Sequence, residues 1–186
     1  MSENFKVGID YGGTKIEGIL MDNEGNEILR KRSTYEKNYK SGIQTVSSLV
    51  EEFDKHTGTI NTVGVGIPGS SSKETGLIKN ANSIWLNDKP FKQDLENSLG
   101  RDIRLMNDAN CFALSEAFDG AAKNYKTVFG IILGSGCGGG LIINKKILVG
   151  PNAFTGEWGH IPLGKPDSKN NIEEYISGKG LSLIHI

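Results

Sequence analysis

The sequence contains no apolar run of the length that a transmembrane helix requires, and its first residues lack the charged and then apolar segments of a signal peptide. Among 186 residues there are only two cysteines, Cys111 and Cys137, and they stand in unrelated sequence contexts. This scarcity argues against a disulfide framework and against a paired-cysteine metal motif. Together these absences predict a globular protein of the cytoplasm that does not enter a membrane.

The sequence also lacks an excess of charge of one sign. Its formal net charge is -1 and it has no basic tail, so the positive surface by which proteins hold nucleic acids is missing. A GxxxxGK[ST] loop and the catalytic and metal-binding signatures of protein kinases are missing as well. A small anionic ligand would therefore have to be bound by local donors of another kind.

Glycine, by contrast, is abundant: the chain has 25 glycines, many of them clustered beside strand-like runs. The pattern of apolar residues and turn signals predicts the element order βββαβαβα over the first two thirds of the chain. This order is typical of an α/β fold in which helices pack on a mixed sheet. The predicted strands are 5–10, 16–21, 27–33, 62–67 and 103–106, and the predicted helices are 41–56 with Ser41 as its cap, a short one between Pro90 and Gly100, and 109–122.

After Lys126 the pattern begins again, with predicted strands 128–133, 141–144 and 146–149 and a helix 173–181. In both halves a strand runs into a glycine-rich turn and returns as a strand, which predicts two duplicated lobes facing one another across a cleft. We expect an N-terminal lobe of residues 1–122 and an incomplete C-terminal lobe of residues 123–186. Because residues 182–186 contain no cap or stop signal, we also expect the C-terminus to be a truncation or an artefact.

Two glycine-rich turns are candidates for binding phosphate. The first, from Asp10 to Lys15, has paired glycines that leave backbone N–H groups uncovered, and the second, from Gly134 to Gly140, has the same character. The alternative is that each is only a tight hairpin. A dinucleotide-binding fingerprint is disfavoured, because it must open a helix and residues 141–143 are predicted as a strand.

The first turn also offers groups for a nucleotide and its metal. Asp10 could hold a magnesium ion, through water, and the Thr14 hydroxyl could reach a phosphate oxygen. The candidate nucleotide-binding residues are Gly8, Asp10, Gly12, Gly13, Thr14 and Lys15 in the first half, and Gly134, Ser135, Gly136, Gly138 and Gly139 in the second.

Polar side chains suited to chemistry occur at two further places. Asn107 and Asp108 lie between a predicted strand and a predicted helix, at the carboxyl end of the sheet where open α/β folds bind their ligands. The alternative is that one of them only caps the helix. Glu157 and His160 lie in a glycine-flanked loop and could bind sugar hydroxyls, the alternative being a solvated Glu and a packed His in a surface loop.

These elements resemble the ROK family of bacterial sugar kinases and sugar-responsive repressors, from Val7 to about Leu181. The motifs that carry the resemblance are GIDYGGTK at 8–15, GVGIPG at 64–69, NDANCFALSEA at 107–117, LGSGCGGGL at 133–141 and GEWGH at 156–160. The run KNANSIWLNDKPF at 79–91 looks most like the fructokinase and mannokinase branch, whereas NDANCFALSEA is shared with the N-acetylglucosamine kinase branch.

The resemblance implies an actin-like, ribonuclease-H-like fold and an enzyme that transfers the γ-phosphate of ATP to a hexose. Asp108 would be the base that deprotonates the sugar hydroxyl. The sugar-binding positions that it implies are Gly69, Asn82, Asn107, Glu157, His160 and Glu174. We expect a fructokinase, with N-acetylglucosamine kinase, glucokinase or a non-catalytic sugar sensor as alternatives, and a homodimer in the full-length protein.

One departure from the family concerns zinc. The family usually has a CxCGxxGC segment between its GHxPL and ExxxSG runs, with the histidine of GEWGH as a further ligand. Here residues 164–171 contain no cysteine, so we expect ATP and Mg²⁺ but no zinc. The repressor branch is disfavoured, because its members carry a DNA-binding region first and the first strand here begins at Phe5.

Overall fold

Most strands and helices follow one another along the chain in the predicted order. A computed structural model describes residues 5–134, 136–151, 155–164 and 171–184. The chain divides into two units, residues 1–108 and residues 109–186. The lobe boundary that we expect after Ala122 remains a prediction.

The first unit is built on a five-stranded sheet. Its elements are β1 Lys6–Tyr11, β2 Lys15–Met21, β3 Glu27–Thr34, α1 Tyr39–Thr57, β4 Thr62–Ile67, β5 Ser70–Ser71, β6 Ile78–Lys79, α2 Phe91–Leu99 and β7 Ile103–Asn107. The strand order in the sheet is β3-β2-β1-β4-β7. Strands β1, β2 and β3 form an antiparallel meander, whereas β1, β4 and β7 run parallel to one another. The mixed sheet and the element order are as predicted, whereas the short β5-β6 hairpin was not predicted.

Helix α1 covers one face of this sheet. It begins two residues earlier than predicted, because the side chain of Asn38, and not that of Ser41, caps it by accepting a hydrogen bond from the Ser41 N–H at 2.8 Å. Gly58, in the left-handed conformation, ends it. Phe53 on its buried face is 0% exposed and packs so closely over β2 that a Cβ at Gly18 would lie 2.7 Å from its ring.

The second unit combines helices with a three-stranded antiparallel sheet. Its elements are α3 Asp108–Phe118, which starts on the last residue of the first unit, β8 Thr127–Leu133, β9 Cys137–Ile143, β10 Lys146–Ile147, α4 Ile172–Ile176 and α5 Gly178–Ile184. The strand order in the sheet is β10-β9-β8. Helix α3 packs on one face of the sheet, where Ala113 meets Gly130 and Gly140. On the other face of β8, Phe129, Ile131 and Leu133 are 47%, 51% and 59% exposed.

Several predicted elements in this half differ from the structure, and β10 ends at Ile147 rather than 149. Helix α3 stops at Phe118 rather than 122, because the Glu116 carboxylate accepts the Ala121 N–H at 2.8 Å and residues after Phe118 form turns. Strand β9 starts at Cys137 rather than 141, since its glycines pair with β8. The single helix predicted at 173–181 is interrupted by Ser177, which has extended backbone.

No helix within the described ranges combines the length and the apolar character needed to cross a lipid bilayer.

Candidate active site

The carboxyl ends of three parallel strands lie at one edge of the first sheet. Strand β1 leads into the Gly12 turn, β4 into Pro68 and Gly69, and β7 into Asp108. The register pairs Asp10 with Gly66, and Gly66 with Met106. Asp10 and Asp108 therefore belong to the same edge, two strand spacings apart, which is roughly 10 Å.

Asn107 links two of these strand ends. Its side-chain amide donates to the Gly69 carbonyl at 3.0 Å and to Asp108 Oδ1 at 3.2 Å. Asp108 is exposed and is itself the first residue of α3, so the helix starts one residue earlier than predicted. The Asp108 carboxylate is thus held at the sheet edge while remaining open to solvent.

Gly69 brings a further predicted residue to this edge. Its φ is +87°, and a Cβ there would lie 2.6 Å from the Lys79 carbonyl oxygen and 2.8 Å from the Ala81 nitrogen. Only glycine permits this backbone-to-backbone approach. The segment that ends in the exposed Asn82 therefore packs directly against Gly69, and the structure brings Gly69, Asn82, Asn107 and Asp108 together.

The first glycine turn joins β1 to β2 through Gly12, Gly13 and Thr14. The Gly12 N–H donates to the Lys15 carbonyl at 3.1 Å, and a Cβ at Gly12 would lie 2.8 Å from that oxygen. A Cβ at Gly13 would meet only Ser83 Oγ, at an ordinary 3.6 Å. Within the described residues no hydrogen bond engages the N–H of Gly13 or of Thr14, and both residues are exposed. Two amides are therefore available to an anion, so the hairpin interpretation and the phosphate interpretation are compatible here.

Of the other residues predicted to bind the nucleotide near this turn, Gly8 lies away from the turn and Lys15 lies at its edge. Gly8 is inside β1, where a Cβ would lie 3.1 Å from Ile19 Cγ2, so packing between the strands accounts for its small size. Lys15 is exposed at the first position of β2.

The pKa of the Asp10 carboxyl group is raised, although the residue is exposed. Desolvation by the surrounding protein raises its pKa, the negative charge of Glu17 directly across on β2 raises it further, and Arg32 lowers it. Glu17 itself binds Arg30 and Arg32 of β3, and these bonds lower its pKa. A cation beside Asp10 would favour its ionised form.

The second glycine run differs from the predicted turn. The Gly134 N–H donates to the Gly136 carbonyl at 2.9 Å, and Ser135 lies outside the described residues. Gly138 and Gly139 are inside β9, paired with Ile132 and Ile131 of β8. A Cβ at Gly139 would lie 2.6 Å from the Gly130 carbonyl oxygen, so strand packing requires this glycine. The prediction that both belong to an open turn is wrong.

The loop with Glu157 and His160 packs against this glycine strand. Trp158 Nε1 donates to the Gly138 carbonyl at 2.8 Å, and a Cβ at Gly159 would lie 2.6 Å from the Cys137 carbonyl oxygen. Glu157 Oε2 and His160 Nε2 are 3.7 Å apart, and the His160 side chain is 61% exposed. The strand thus fixes the loop while its carboxylate and imidazole stay accessible.

Sequence reasoning missed Glu173. Its carboxylate accepts the Cys137 N–H at 2.7 Å, at the start of β9. The predicted Glu174 is exposed, and its N–H donates to Asn171 Oδ1 at 3.1 Å. Counting back from Ser177 and Gly178, the ExxxSG spacing falls on Glu173, and this signal could have found it.

The profile of the ROK family matches residues 6–184. The chain belongs to the ROK family. Its relatives include the N-acetyl-D-glucosamine kinases of Yersinia pestis bv. Antiqua, 40% identical over 96% of this chain, and of Haemophilus influenzae, 36% identical over 96%. The chain spans 76% of the first relative and 64% of the second.

Solved ROK structures share the fold. The ROK hexokinase of Thermus thermophilus has a TM-score of 0.83 and 27% identity over 97% of this chain, which spans 63% of that protein. The ROK glucokinase of Streptomyces griseus, solved with glucose and AMPPNP, has a TM-score of 0.82 and 29% identity, covering 96% of this chain and 59% of that one. The predicted actin-like α/β fold is therefore confirmed, with this chain covering part of it.

The relatives favour another branch of the ROK family than the motif at 79–91 does. The relatives named above are N-acetylglucosamine kinases, so the narrower prediction of a fructokinase is not supported, and the alternative is supported better. The described residues contain no group of three or more His, Cys, Asp or Glu that could hold a metal ion. Burial, and then the nearby Glu173, raises the pKa of the Cys137 thiol, which does not favour it as a metal ligand. The absence of zinc remains a prediction.

Proposed function

We propose that this ROK protein is an ATP-dependent sugar kinase whose acceptor is N-acetylglucosamine. The observation that carries the proposal is the Asn107 side chain, which ties the exposed Asp108 to the Gly69 loop at the sheet edge. The acceptor follows from the N-acetylglucosamine kinases that are 36% to 40% identical. The AMPPNP complex of the Streptomyces glucokinase supports ATP as the donor.

ATP supplies the γ-phosphoryl group when it is bound, with magnesium offsetting the charge of its phosphates. The first turn fits the phosphates, because the N–H groups of Gly13 and Thr14 are unengaged within the described chain and a side chain is missing at Gly13. Asp10 would hold the magnesium ion through water. Since no cluster of three ligating side chains occurs among the described residues, water and phosphate would complete its coordination.

Asp108 would act as the base. Its carboxylate would accept the proton of the sugar hydroxyl as the oxygen attacks phosphorus, which is the role of an aspartate in other phosphoryl transfers. Asn107 would keep Oδ1 of Asp108 in place through their 3.2 Å hydrogen bond. We propose Asn82, Asn107, Glu157 and His160, with Gly69, as groups that orient the sugar hydroxyls, and Glu173 beside Glu174 as the carboxylate from α4.

The proposal is tested with a coupled assay of ADP formation on the full-length gene product that contains this chain. Because a site that hydrogen-bonds a substrate amide rejects analogues without it, kcat/KM for N-acetylglucosamine is expected to exceed that for glucose, mannose or fructose by at least about 10-fold. The highest kcat/KM for fructose would restore the fructokinase prediction. Sugar binding without any ADP formation would identify a non-catalytic sugar sensor. Cytoplasmic location and a homodimer remain predictions.

A further inference from the structure

An aromatic cluster lies beneath the first glycine turn. Tyr11 ends β1, Tyr35 follows β3, and Trp85 lies in a short 3₁₀ helix between β6 and α2. The Tyr35 ring meets the Tyr11 ring edge-on with a centroid distance of 5.4 Å, and the Trp85 ring at 6.1 Å. Trp85 Nε1 also donates to the Tyr11 hydroxyl at 3.2 Å. Tyr35 is therefore fixed between two rings that are themselves bonded to each other.

The hydroxyl of Tyr35 reaches the turn itself. It donates to the Gly12 carbonyl oxygen at 2.9 Å across a separation of 23 residues. Burial raises the pKa of Tyr35, so its hydroxyl keeps the proton that this bond requires. The chain contains no cis peptide bond among the described residues, and in a planar trans peptide the C=O and the following N–H point in opposite directions. Fixing the Gly12 carbonyl toward Tyr35 thus directs the Gly13 N–H away from the cluster.

This direction matters because the turn has few amides to offer. The Gly12 N–H is already bonded to the Lys15 carbonyl at 3.1 Å, so only the amides of Gly13 and Thr14 remain for an anion within the described turn. A glycine peptide rotates easily when nothing holds it, and an amide that must be reoriented on binding contributes less affinity.

The support for Tyr35 extends into α1. Tyr11 is 1% exposed, and α1 passes so close to it that any Cβ at Gly42 would collide with its hydroxyl and ring. The position of Tyr11, and through it that of Tyr35, is therefore set by the packing of a 19-residue helix on the sheet.

We propose that Tyr35 is a positioning residue of the phosphate-binding turn, which aims the Gly13 N–H at a phosphate oxygen of the nucleotide by holding the Gly12 carbonyl. The inference rests on the proposed kinase function. Tyr35 does not touch the reacting atoms, so its contribution is to nucleotide affinity and not to the acceptance of the sugar.

The test is Tyr35→Phe in the full-length gene product, which removes one hydroxyl and keeps the ring. The KM for MgATP is expected to rise roughly 3- to 10-fold, the range for one lost hydrogen bond, while the KM for the sugar stays unchanged. Inhibition by adenosine, which has no phosphate, is expected to be unaffected. A merely structural role would not produce this split.

Tyr39→Phe is the matched control. The Tyr39 hydroxyl donates to Asp94 at 2.6 Å and not to the turn, and its ring packs against Phe91. Both variants lose a part-buried hydrogen bond, so both are expected to melt at a lower temperature, but only Tyr35→Phe is expected to raise the KM for MgATP. An unchanged KM for MgATP in Tyr35→Phe, or an equal rise in the sugar KM, overturns the role of Tyr35 and leaves the kinase intact. No ATP-dependent turnover in the wild-type protein overturns both.

Discussion

Replacing Asp108 by Asn is expected to lower kcat of the full-length gene product by about 10²- to 10⁴-fold, the usual contribution of a general base. Asparagine has nearly the same shape and keeps the Oδ1 acceptor for the Asn107 amide, 3.2 Å away in the native chain. The sheet edge should therefore hold its geometry while the proton acceptor is lost. Sugar affinity, measured by calorimetry without ATP, is expected to stay close to that of the wild type.

Asp102→Asn provides the control for this change. Asp102 is exposed and precedes the other end of the same strand, β7, so the two variants differ by position and not by chemistry. We expect wild-type kcat from Asp102→Asn. If Asp108→Asn also turned over at a near-normal rate, Asp108 would not be the base.

Phe53→Ala is expected to lower the free energy of unfolding by about 3–5 kcal/mol, the cost of emptying a buried aromatic site. Phe53 is 0% exposed between α1 and the sheet, and its ring lies against the backbone of β2 at Gly18. Neighbouring main chain cannot move into the vacated volume, because β2 is paired on both sides. Urea unfolding of the chain followed by circular dichroism measures the loss.

The matched change is Phe118→Ala at the end of α3. Phe118 is 61% exposed, so the same truncation there should change the free energy of unfolding by no more than about 0.5 kcal/mol. Equal destabilisation by the two variants would mean that the packing of α1 on the sheet is not what stabilises the first unit.

The sequence was most informative where burial leaves a periodic pattern. Strand β4, Thr62–Ile67, was predicted with its true bounds, because three apolar residues alternate with small or polar ones and turn residues follow. The element order of the first unit follows from the same signal. Asp108 was likewise expected directly after a strand, and in the structure it follows the last residue of β7.

Contacts between distant segments could not be predicted in this way. Glycines 138–140 show no strand propensity, and they lie in β9 because the neighbouring strand, helix and loop approach its backbone. Asn38 and Ser41 are both good caps, and only the path of the chain decides between them. The bond from Tyr35 to Gly12 joins residues whose spacing carries no local signal.

Several glycines of the candidate site also determine which missense mutations the protein can tolerate. At Gly69, Gly156 and Gly159 a Cβ would meet main-chain atoms of Lys79, Gly139 and Cys137, which no change of rotamer can move aside. Gly69 and Gly156 additionally have φ values of +87° and +96°, which disfavour any side chain.

Every missense change in a glycine codon introduces at least a Cβ. We therefore expect a deep mutational scan to reject alanine at the codons of Gly69, Gly156 and Gly159 almost as strongly as valine. Alanine should be accepted at Gly64, where a Cβ would meet nothing within 4 Å. Equal acceptance of alanine at all four codons would contradict this. The expected outcome would mean that these glycines are constrained by backbone contacts as well as by any contact with the sugar.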